Sequence, residues 1–110
     1  MATTPPPPYL AVLFTNRRAP GNDQAYDTTA ARMLELAQTV DGFLGIESIR
    51  SADQTGFTIS YWRDHESIET WRAHPEHLDA QVAGRSEWYA WYELRIAEVT
   101  RASSYTASDA

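Results

Sequence analysis

The first apolar stretch of the chain is YLAVLFTN, residues 9–16, and it has hydrophobic side chains on both faces of a predicted strand. Leu10, Val12 and Phe14 share one face, and Asn16 falls in line with them. Ala11 and Leu13 lie between them in sequence and therefore on the other face. Both faces of this strand therefore need to be covered by other parts of the protein.

The rest of the pattern predicts a βαββαβ order. Apolar residues recur every three or four positions over residues 26–40, which predicts an amphipathic helix. FLGIESIR and GFTISYW predict two strands joined by the polar turn SADQTG. RDHESIETWRAH predicts a helix capped by Asp64, with a further helical piece from Pro75 to a stop at Gly84. WYELRIAEVTR predicts a last strand, so the expected fold is α+β and ferredoxin-like, a four-stranded antiparallel sheet with helices on one face.

The two ends of the chain differ in composition from the part between them. Residues 1–8 contain the run TTPPPP, which favours polyproline II, and residues 103–110 have too little apolar content to pack. We expect both ends to be disordered tails. The folded domain is expected to cover residues 9–102.

Helices on one face of a sheet leave the other face bare. Since the first strand is apolar on both sides, an uncovered face would expose a large hydrophobic patch, which usually marks an association surface. The pattern therefore predicts a homodimer in which two sheets pair face to face.

Composition and charge exclude several classes of partner. The 110 residues suffice for one domain, and a net charge of −6 without a local run of basic residues disfavours nucleic acid. The chain has no cysteine, which removes disulfides and thiolate metal sites. Its first residues lack both the basic and the apolar regions of a signal peptide, so a cytoplasmic protein without a membrane partner is expected.

The three histidines lie close together in HESIETWRAHPEH, residues 65–77. If residues 67–82 form one helix, a single apolar stripe faces the core and consists of Ile68, Trp71, Pro75, Leu78 and Val82. On a helical wheel of this segment, His74 lies beside Gln81 at the edge of the stripe and His77 lies farther toward solvent. His65 points to nearly the opposite side from His74. No three histidines converge, so no metal site is expected.

The segment SYWRDHESIETWRAHPEHLDAQVAGRSEWYAWYELRIAEV, together with the upstream AVLFTNRR, resembles the antibiotic biosynthesis monooxygenase superfamily. The most specific shared elements are YW closing the third strand, the tryptophan at position 71, EHLDAQ, and the aromatic start of the last strand. The resemblance implies a dimeric α+β barrel with a ligand pocket between the sheet and the helices.

Two branches of that superfamily imply different chemistry. Cofactor-independent members oxidise polycyclic phenols with O2, without flavin or metal, and have an Asn and a Trp among the polar groups of their pocket. Haem-degrading members use an Asn on the first strand and a Trp on the second helix, which Asn16 and Trp71 match. Haem-degrading members also carry a His ten residues after that Trp, where this chain has Gln81. Glutamine is a poor ligand for haem iron, so haem is not expected unless His74 or His77 replaces the missing ligand.

The candidate site then consists of catalytic and substrate-binding residues. Asn16 is the candidate donor to a developing oxyanion, Trp71 the aromatic wall, and His74 the candidate base. The expected contacts to substrate are Phe14, Tyr61 and Gln81. The leading hypothesis is a cofactor-independent monooxygenase of a small aromatic or polycyclic phenolic substrate, with O2 as co-substrate. The alternatives are a non-catalytic dimeric module that binds a small molecule and a haem-binding or haem-degrading protein.

Simpler explanations exist for the same residues. Trp71 on an apolar stripe is typical of a core residue, and Asn16 is also typical of a residue that caps a turn. Tyr61 and Trp62 are adjacent in a strand, so at most one of them can face the pocket. Arg85 and Arg95 suit either an acidic substrate or surface ion pairs.

Overall fold

The computed structural model describes residues 2–108. Its strands and helices follow one another in the order β1 (Tyr9–Arg18), α1 (Asp23–Ala37), β2 (Phe43–Arg50), β3 (Thr55–Trp62), α2 (His65–Arg72), α3 (Pro75–Ala83) and β4 (Tyr89–Val99). A single π-helical turn, Gly84–Trp88, joins α3 to β4. The predicted βαββαβ order is confirmed, with the second helical region divided in two.

The four strands form one antiparallel sheet in the order β2-β3-β1-β4. Because side chains alternate along a strand, the pairing places Phe14 of β1, Thr58 of β3 and Leu94 of β4 on one face. That face packs against the helices. The predicted α+β, ferredoxin-like fold is thus confirmed, and Asn16 lies on the same face as Phe14, as the alternation predicted.

The core lies at one end of the space between helices and sheet. Ala37 of α1, Trp62 of β3 and Ile68 of α2 form its buried centre, and Phe43 packs edge-on against Trp62. Asp64 caps α2 by accepting from the backbone N–H of Ser67 at 2.8 Å, as predicted. The core is small, and much of the helix-covered face of the sheet remains available to line a cavity.

The second helical region breaks between α2 and α3. His74 precedes Pro75 and has an extended backbone (φ −60°, ψ 129°), because proline disfavours the helical conformation in the residue before it. The expectation of one continuous wheel over residues 67–82 is therefore wrong. Ile68 is buried, but Leu78 and Val82 are 47% and 58% exposed.

The face of the sheet that turns away from the helices carries apolar residues. Leu13, Phe57, Ile59 and Tyr61 are half-buried there. Ile49 is 72% exposed and Trp91 is 47% exposed on the same side. No helix in residues 2–108 combines the length and the apolar character needed to cross a membrane.

Residues 2–8 and 100–108 contain no helix or strand. The N-terminal segment nevertheless contacts the sheet, since the backbone nitrogen of Ala2 donates to Glu47 at 3.2 Å and the hydroxyls of Thr4 and Tyr9 lie 3.0 Å apart. Residues 101–108 are exposed throughout. The boundary of the folded domain at residue 102 and the disorder of both ends remain predictions.

Candidate functional site

A cavity of about 540 Å³ separates the helices from the sheet. Its floor is the helix-facing side of all four strands, and its roof is formed by α1, α2, α3 and the π-helical turn. Most of its lining is apolar or aromatic: Val12, Phe14, Met33, Ile46, Trp62, Trp71, Trp88, Tyr89, Tyr92 and Leu94 are among the residues involved. Such a lining, with few polar groups, is typical of a small-molecule site.

The first polar group in the cavity wall is His77 of α3, held against Trp71 of α2. The two rings stack with centroids 4.2 Å apart, and Trp71 also stacks at 6.5 Å on Trp62. Nδ1 of His77 lies 3.1 Å from the backbone carbonyl of Trp71 and 3.2 Å from the side-chain amide of Gln81. The Trp71 carbonyl only accepts, so we assign the hydrogen to Nδ1. The Gln81 atom beside Nδ1 is the amide nitrogen, also a donor, so this neighbour is a contact and not a hydrogen bond in that tautomer. The assignment leaves the Nε2 lone pair of His77 free to accept a proton.

Burial lowers the pKa of His77, and the hydrogen bond to the Trp71 carbonyl opposes this shift in part. The charges of His74 and Arg72 act in the same direction as burial. His77 is therefore a neutral imidazole at pH 7. A neutral ring held by its Nδ1 is suited to act as a base through Nε2.

The second polar region of the cavity is centred on Tyr26 of α1. Its hydroxyl accepts hydrogen bonds from Tyr89 at 3.2 Å and from Nη2 of Arg50 at 3.1 Å. The guanidinium of Arg18 lies 3.8 Å from the centre of the Tyr26 ring, and Trp88 contacts the same ring edge-on at 5.6 Å. Burial and the Tyr26 hydrogen bond raise the pKa of Tyr89, which keeps its hydroxyl protonated as a donor.

Glycine at position 56 makes room for this arrangement. Gly56 of β3 pairs with Arg50 of β2 on one side and with Asn16 of β1 on the other. The Arg50 guanidinium lies 2.6 to 2.8 Å from the point that a Cβ on Gly56 would occupy. Any larger residue there would displace the guanidinium from its contact with Tyr26.

Three of the residues expected from the sequence meet in the cavity. Phe14 lies on its floor, and Trp71 and Gln81 lie in its helical wall. Trp71 is half-buried and stacked rather than enclosed in the core. This group extends from β1 to α3, so the predicted position of the pocket between sheet and helices agrees with the structure.

Two other expected residues, Tyr61 and His74, lie outside the cavity. Tyr61 lies on the opposite face of the sheet, edge-on to Tyr9, and Trp62 lines the cavity in its place. His74 lies outside the cavity lining and caps α3, since its Nδ1 accepts from the backbone N–H of Glu76 at 3.2 Å. These placements correct the expected roles of Tyr61 in substrate contact and of His74 as the base.

Asn16 faces the helices but does not reach the cavity surface. Its side chain is 1% exposed, and its Oδ1 finds no hydrogen-bond partner within residues 2–108. The other buried side-chain polar atom without a partner in that range is Nε1 of Trp88. Asn16 is not among the residues that line the cavity, and its role in ligand binding remains a proposal.

Sequence reasoning missed His77, Tyr26 and Tyr89. His77 was expected nearer to solvent because the helical wheel was continued through Pro75, although the proline itself was the signal for a break. Tyr26 was recognised as part of an apolar stripe, but its partners come from β2 and β4, and spacing along the chain does not indicate them. Residues 2–108 contain no group of three or more His, Cys, Asp or Glu side chains arranged to hold a metal ion.

Comparison with known proteins identifies the family of this chain. Residues 10–83 match the family profile described as antibiotic biosynthesis monooxygenase. The uncharacterized protein YqjZ of Bacillus subtilis is 48% identical over 101 residues, which cover 92% of this chain and 88% of that protein. The jasmonate monooxygenase ABM of Pyricularia oryzae is 33% identical over 93 residues, which cover 83% of this chain and 43% of that longer protein.

Solved structures share the fold at low sequence identity. The cofactor-independent oxygenase SnoaB of Streptomyces nogalater, in a mutant form, aligns with a TM-score of 0.73 at 18% identity, covering 86% of this chain and 95% of that one. Rv0793 of Mycobacterium tuberculosis aligns with a TM-score of 0.75 at 14% identity, covering 87% and 99%. At these identities the structural likeness establishes the fold alone.

Proposed function

Because the chain belongs to the antibiotic biosynthesis monooxygenase family, we propose that it is a cofactor-independent monooxygenase that oxidises a small aromatic or polycyclic phenolic substrate with O2. The observation that carries this proposal is the aromatic cavity with its two separate polar regions, one at His77 and one at Tyr26. We expect a planar aromatic ring to bind in this apolar cavity, with the polar groups orienting it.

The proposed reaction begins with removal of a proton from the substrate. Nε2 of His77 accepts this proton, and the resulting carbanion or phenolate reduces O2 directly. In an anthrone-like substrate the CH2 group becomes a carbonyl, one oxygen atom enters the product, and the other leaves as water. The substrate supplies all the electrons, so the balance requires no flavin or metal. The apolar walls lower the local polarity and keep bulk water from the carbanion.

We propose in addition that the protein acts as a homodimer. The support is the apolar sheet face opposite the helices, with Ile49 and Trp91 well exposed on it. Covering this face with the same face of a second copy removes a hydrophobic patch from water and leaves the two cavities on the outside of the joined sheets.

The test is oxygen uptake by the purified protein with a panel of anthrone-like phenols, first without additives and then with flavin or haem. Jasmonate joins the panel because one relative is named for its oxidation. We expect uptake with at least one phenol in the absence of any cofactor, and incorporation of one labelled oxygen atom from O2 into the product.

Two outcomes would contradict the proposal. If uptake appears only after flavin or haem is added, the reaction is not cofactor-independent. If the protein consumes no oxygen with any compound but binds one of them by calorimetry, the chain is a small-molecule-binding module.

A further inference from the structure

We propose that Tyr26 is a catalytic hydrogen-bond donor, and that the cavity end around it binds the oxyanion of an apolar aromatic substrate. The catalytic role of Tyr26 rests on the proposed function. The binding of an oxyanion at this end of the cavity does not depend on it. The argument starts from the hydroxyl of Tyr26, which has one hydrogen to donate and two lone pairs to accept with.

Both accepting positions of this hydroxyl are occupied. Tyr89 donates from one side at 3.2 Å, and Arg50 donates from another at 3.1 Å. The hydrogen of Tyr26 is therefore left for a third group. Tyr26 and Tyr89 both line the cavity, so an oxygen atom of a bound molecule is positioned to receive it.

The charge around Tyr26 favours an oxygen that is negative. Nη1 of Arg50 donates to the backbone carbonyl of Gln54 at 2.7 Å, and no carboxylate within residues 2–108 forms an ion pair with this guanidinium. Arg18 stacks on the Tyr26 ring and pairs with Asp23, an exposed carboxylate, at 2.9 Å. Two guanidinium groups and one carboxylate leave an excess of positive charge beside the phenol. A phenol that accepts from a cation also becomes a stronger donor.

A second unpaired donor lies in the same cluster. Nε1 of Trp88 is buried without an acceptor in residues 2–108, and its ring contacts that of Tyr26. Trp88 also lines the cavity. Since this nitrogen is itself inaccessible, the donor that a ligand can reach at this end of the cavity is the Tyr26 hydroxyl. A donor hydroxyl beside a net positive charge is the arrangement that stabilises a phenolate or an enolate.

These contacts give His77 and Tyr26 different roles in the cavity. His77 belongs to α3 and accepts a proton, whereas Tyr26 belongs to α1 and donates a hydrogen bond. A phenol or enol whose proton is taken develops negative charge on oxygen, and the Tyr26 hydroxyl stabilises that charge without giving up its proton.

The test uses a nitronaphthol, an aromatic phenol whose neutral and ionised forms absorb at different wavelengths. We expect wild-type protein to bind its ionised form in preference, so that the bound probe ionises at lower pH than the free probe. The Tyr26→Phe variant keeps the ring and its contact with Arg18 but loses the hydroxyl. It should bind the ionised probe about tenfold or more weakly, as expected for loss of a hydrogen bond to a charged group.

Controls separate donation from packing. The affinity for nitronaphthalene, which has the same ring without the hydroxyl, should stay unchanged in Tyr26→Phe. Tyr9→Phe is the control, since Tyr9 also forms a hydrogen bond through its hydroxyl, but with Thr4 outside the cavity. Arg50→Met should weaken binding of the ionised probe as well, because the donor that polarises Tyr26 is lost.

The inference is overturned if wild type and Tyr26→Phe bind the ionised probe equally, or if wild type does not bind it. Failure of oxygen uptake contradicts only the proposed oxygenation, because probe binding does not depend on turnover. If wild type is active, Tyr26→Phe should lower kcat by about 10²-fold, the order seen on removing one oxyanion donor, with a smaller change in KM.

Discussion

At the scale of single residues, His77 is the polar side chain of the cavity wall whose orientation is most closely defined. His77 is fixed on two sides, by the Trp71 ring at 4.2 Å and by the hydrogen bond from Nδ1 to the Trp71 carbonyl. A base that is already oriented loses little entropy when it reacts, which favours proton transfer. His74, only three residues away, is occupied as a helix cap.

We predict that His77→Gln lowers turnover by about 10²-fold or more, the usual contribution of a general base. His65→Gln is the matched control, because His65 is exposed at the start of α2 and lies outside the cavity. The measurement is the oxygen-uptake rate of the three proteins at equal concentration. Equal rates for wild type and His77→Gln would remove His77 from the mechanism.

The same histidine also makes stability depend on pH. Its pKa is lowered in the folded protein, so the unfolded chain binds a proton near pH 6.5 that the folded chain does not yet bind. The free energy of unfolding of wild type should therefore fall as pH drops below about 6.5, down to the folded pKa. In His77→Gln this part of the pH dependence should be absent from urea unfolding curves.

We predict opposite effects on stability and activity for Asn16→Leu. The Oδ1 of Asn16 is a buried acceptor without a partner in residues 2–108, and such an atom costs about 1–3 kcal/mol. Replacing it by an apolar side chain of similar size should leave the free energy of unfolding unchanged or raise it. Turnover should nevertheless fall by about 10²-fold if Asn16 supports oxyanion binding from beneath the cavity floor. A stable variant with full turnover would make Asn16 a structural residue only.

The haem hypothesis can be tested at position 81. Gln81 stands where the resemblance places the haem ligand, and its amide contacts His77 in the cavity wall. We therefore predict no tight haem binding by wild type, and a gain of haem affinity in Gln81→His, because an imidazole binds haem iron well. The measurement is a haem titration followed at the Soret band. A stoichiometric shift with wild type that disappears in His77→Ala would contradict this prediction.

At the scale of elements, the start of α2 is held by a small network of polar groups. Asp64 accepts from the backbone N–H of Ser67 at 2.8 Å and from its hydroxyl at 2.6 Å, and Ser67 fills the space beside Gly42. A Cβ at Gly42 would lie 1.9 Å from the Ser67 hydroxyl, and its φ of +98° also favours glycine. The cap therefore requires these three residues together.

We predict that Asp64→Ala lowers the melting temperature and removes an acid-dependent part of stability. The hydrogen bonds from Ser67 and Arg63 hold the pKa of Asp64 at about 2, below its usual value of 3.8. The stabilisation is complete above pH 4 and disappears as pH falls through about 2, because the unfolded chain takes up the proton first. Asp79→Ala, on the exposed side of α3, serves as the control for charge. Parallel acid-unfolding curves for wild type and Asp64→Ala would contradict the prediction.

At the scale of the whole molecule, the sheet face that the helices do not cover carries exposed apolar side chains among charged ones. We predict that the protein sediments as a dimer that buries more than roughly 1,200 Å² in total, the lower bound for stable specific interfaces. Trp91→Glu and Ile49→Glu place a charge on this face and should produce monomers.

A matched control for this experiment lies on the helical side. Leu78 is 47% exposed, the same value as Trp91, but it belongs to α3. Leu78→Glu should leave the sedimentation coefficient unchanged. A wild-type protein that remains monomeric at every concentration would refute the dimer, as would dissociation by Leu78→Glu alone.

Local patterns in the sequence were sufficient to predict the order of elements, the sheet, and the face to which Phe14 and Asn16 belong. Alternation in a strand and recurrence in a helix depend on neighbouring residues, and backbone geometry converts them directly into faces. Asp64 as a cap was predictable for the same reason, since its partner Ser67 is three residues away.

Only the tertiary structure decided which polar residues share the cavity. His77, and not the expected His74, lines the cavity because the break before Pro75 rotates α3 relative to α2. A break of this kind changes the direction of every later side chain in the helix. Tyr26, Arg50 and Tyr89 meet from α1, β2 and β4, although 24 and 63 residues separate the bonded pairs. Such contacts depend on how the helices pack across the sheet, and periodicity within a single element carries no information about that packing.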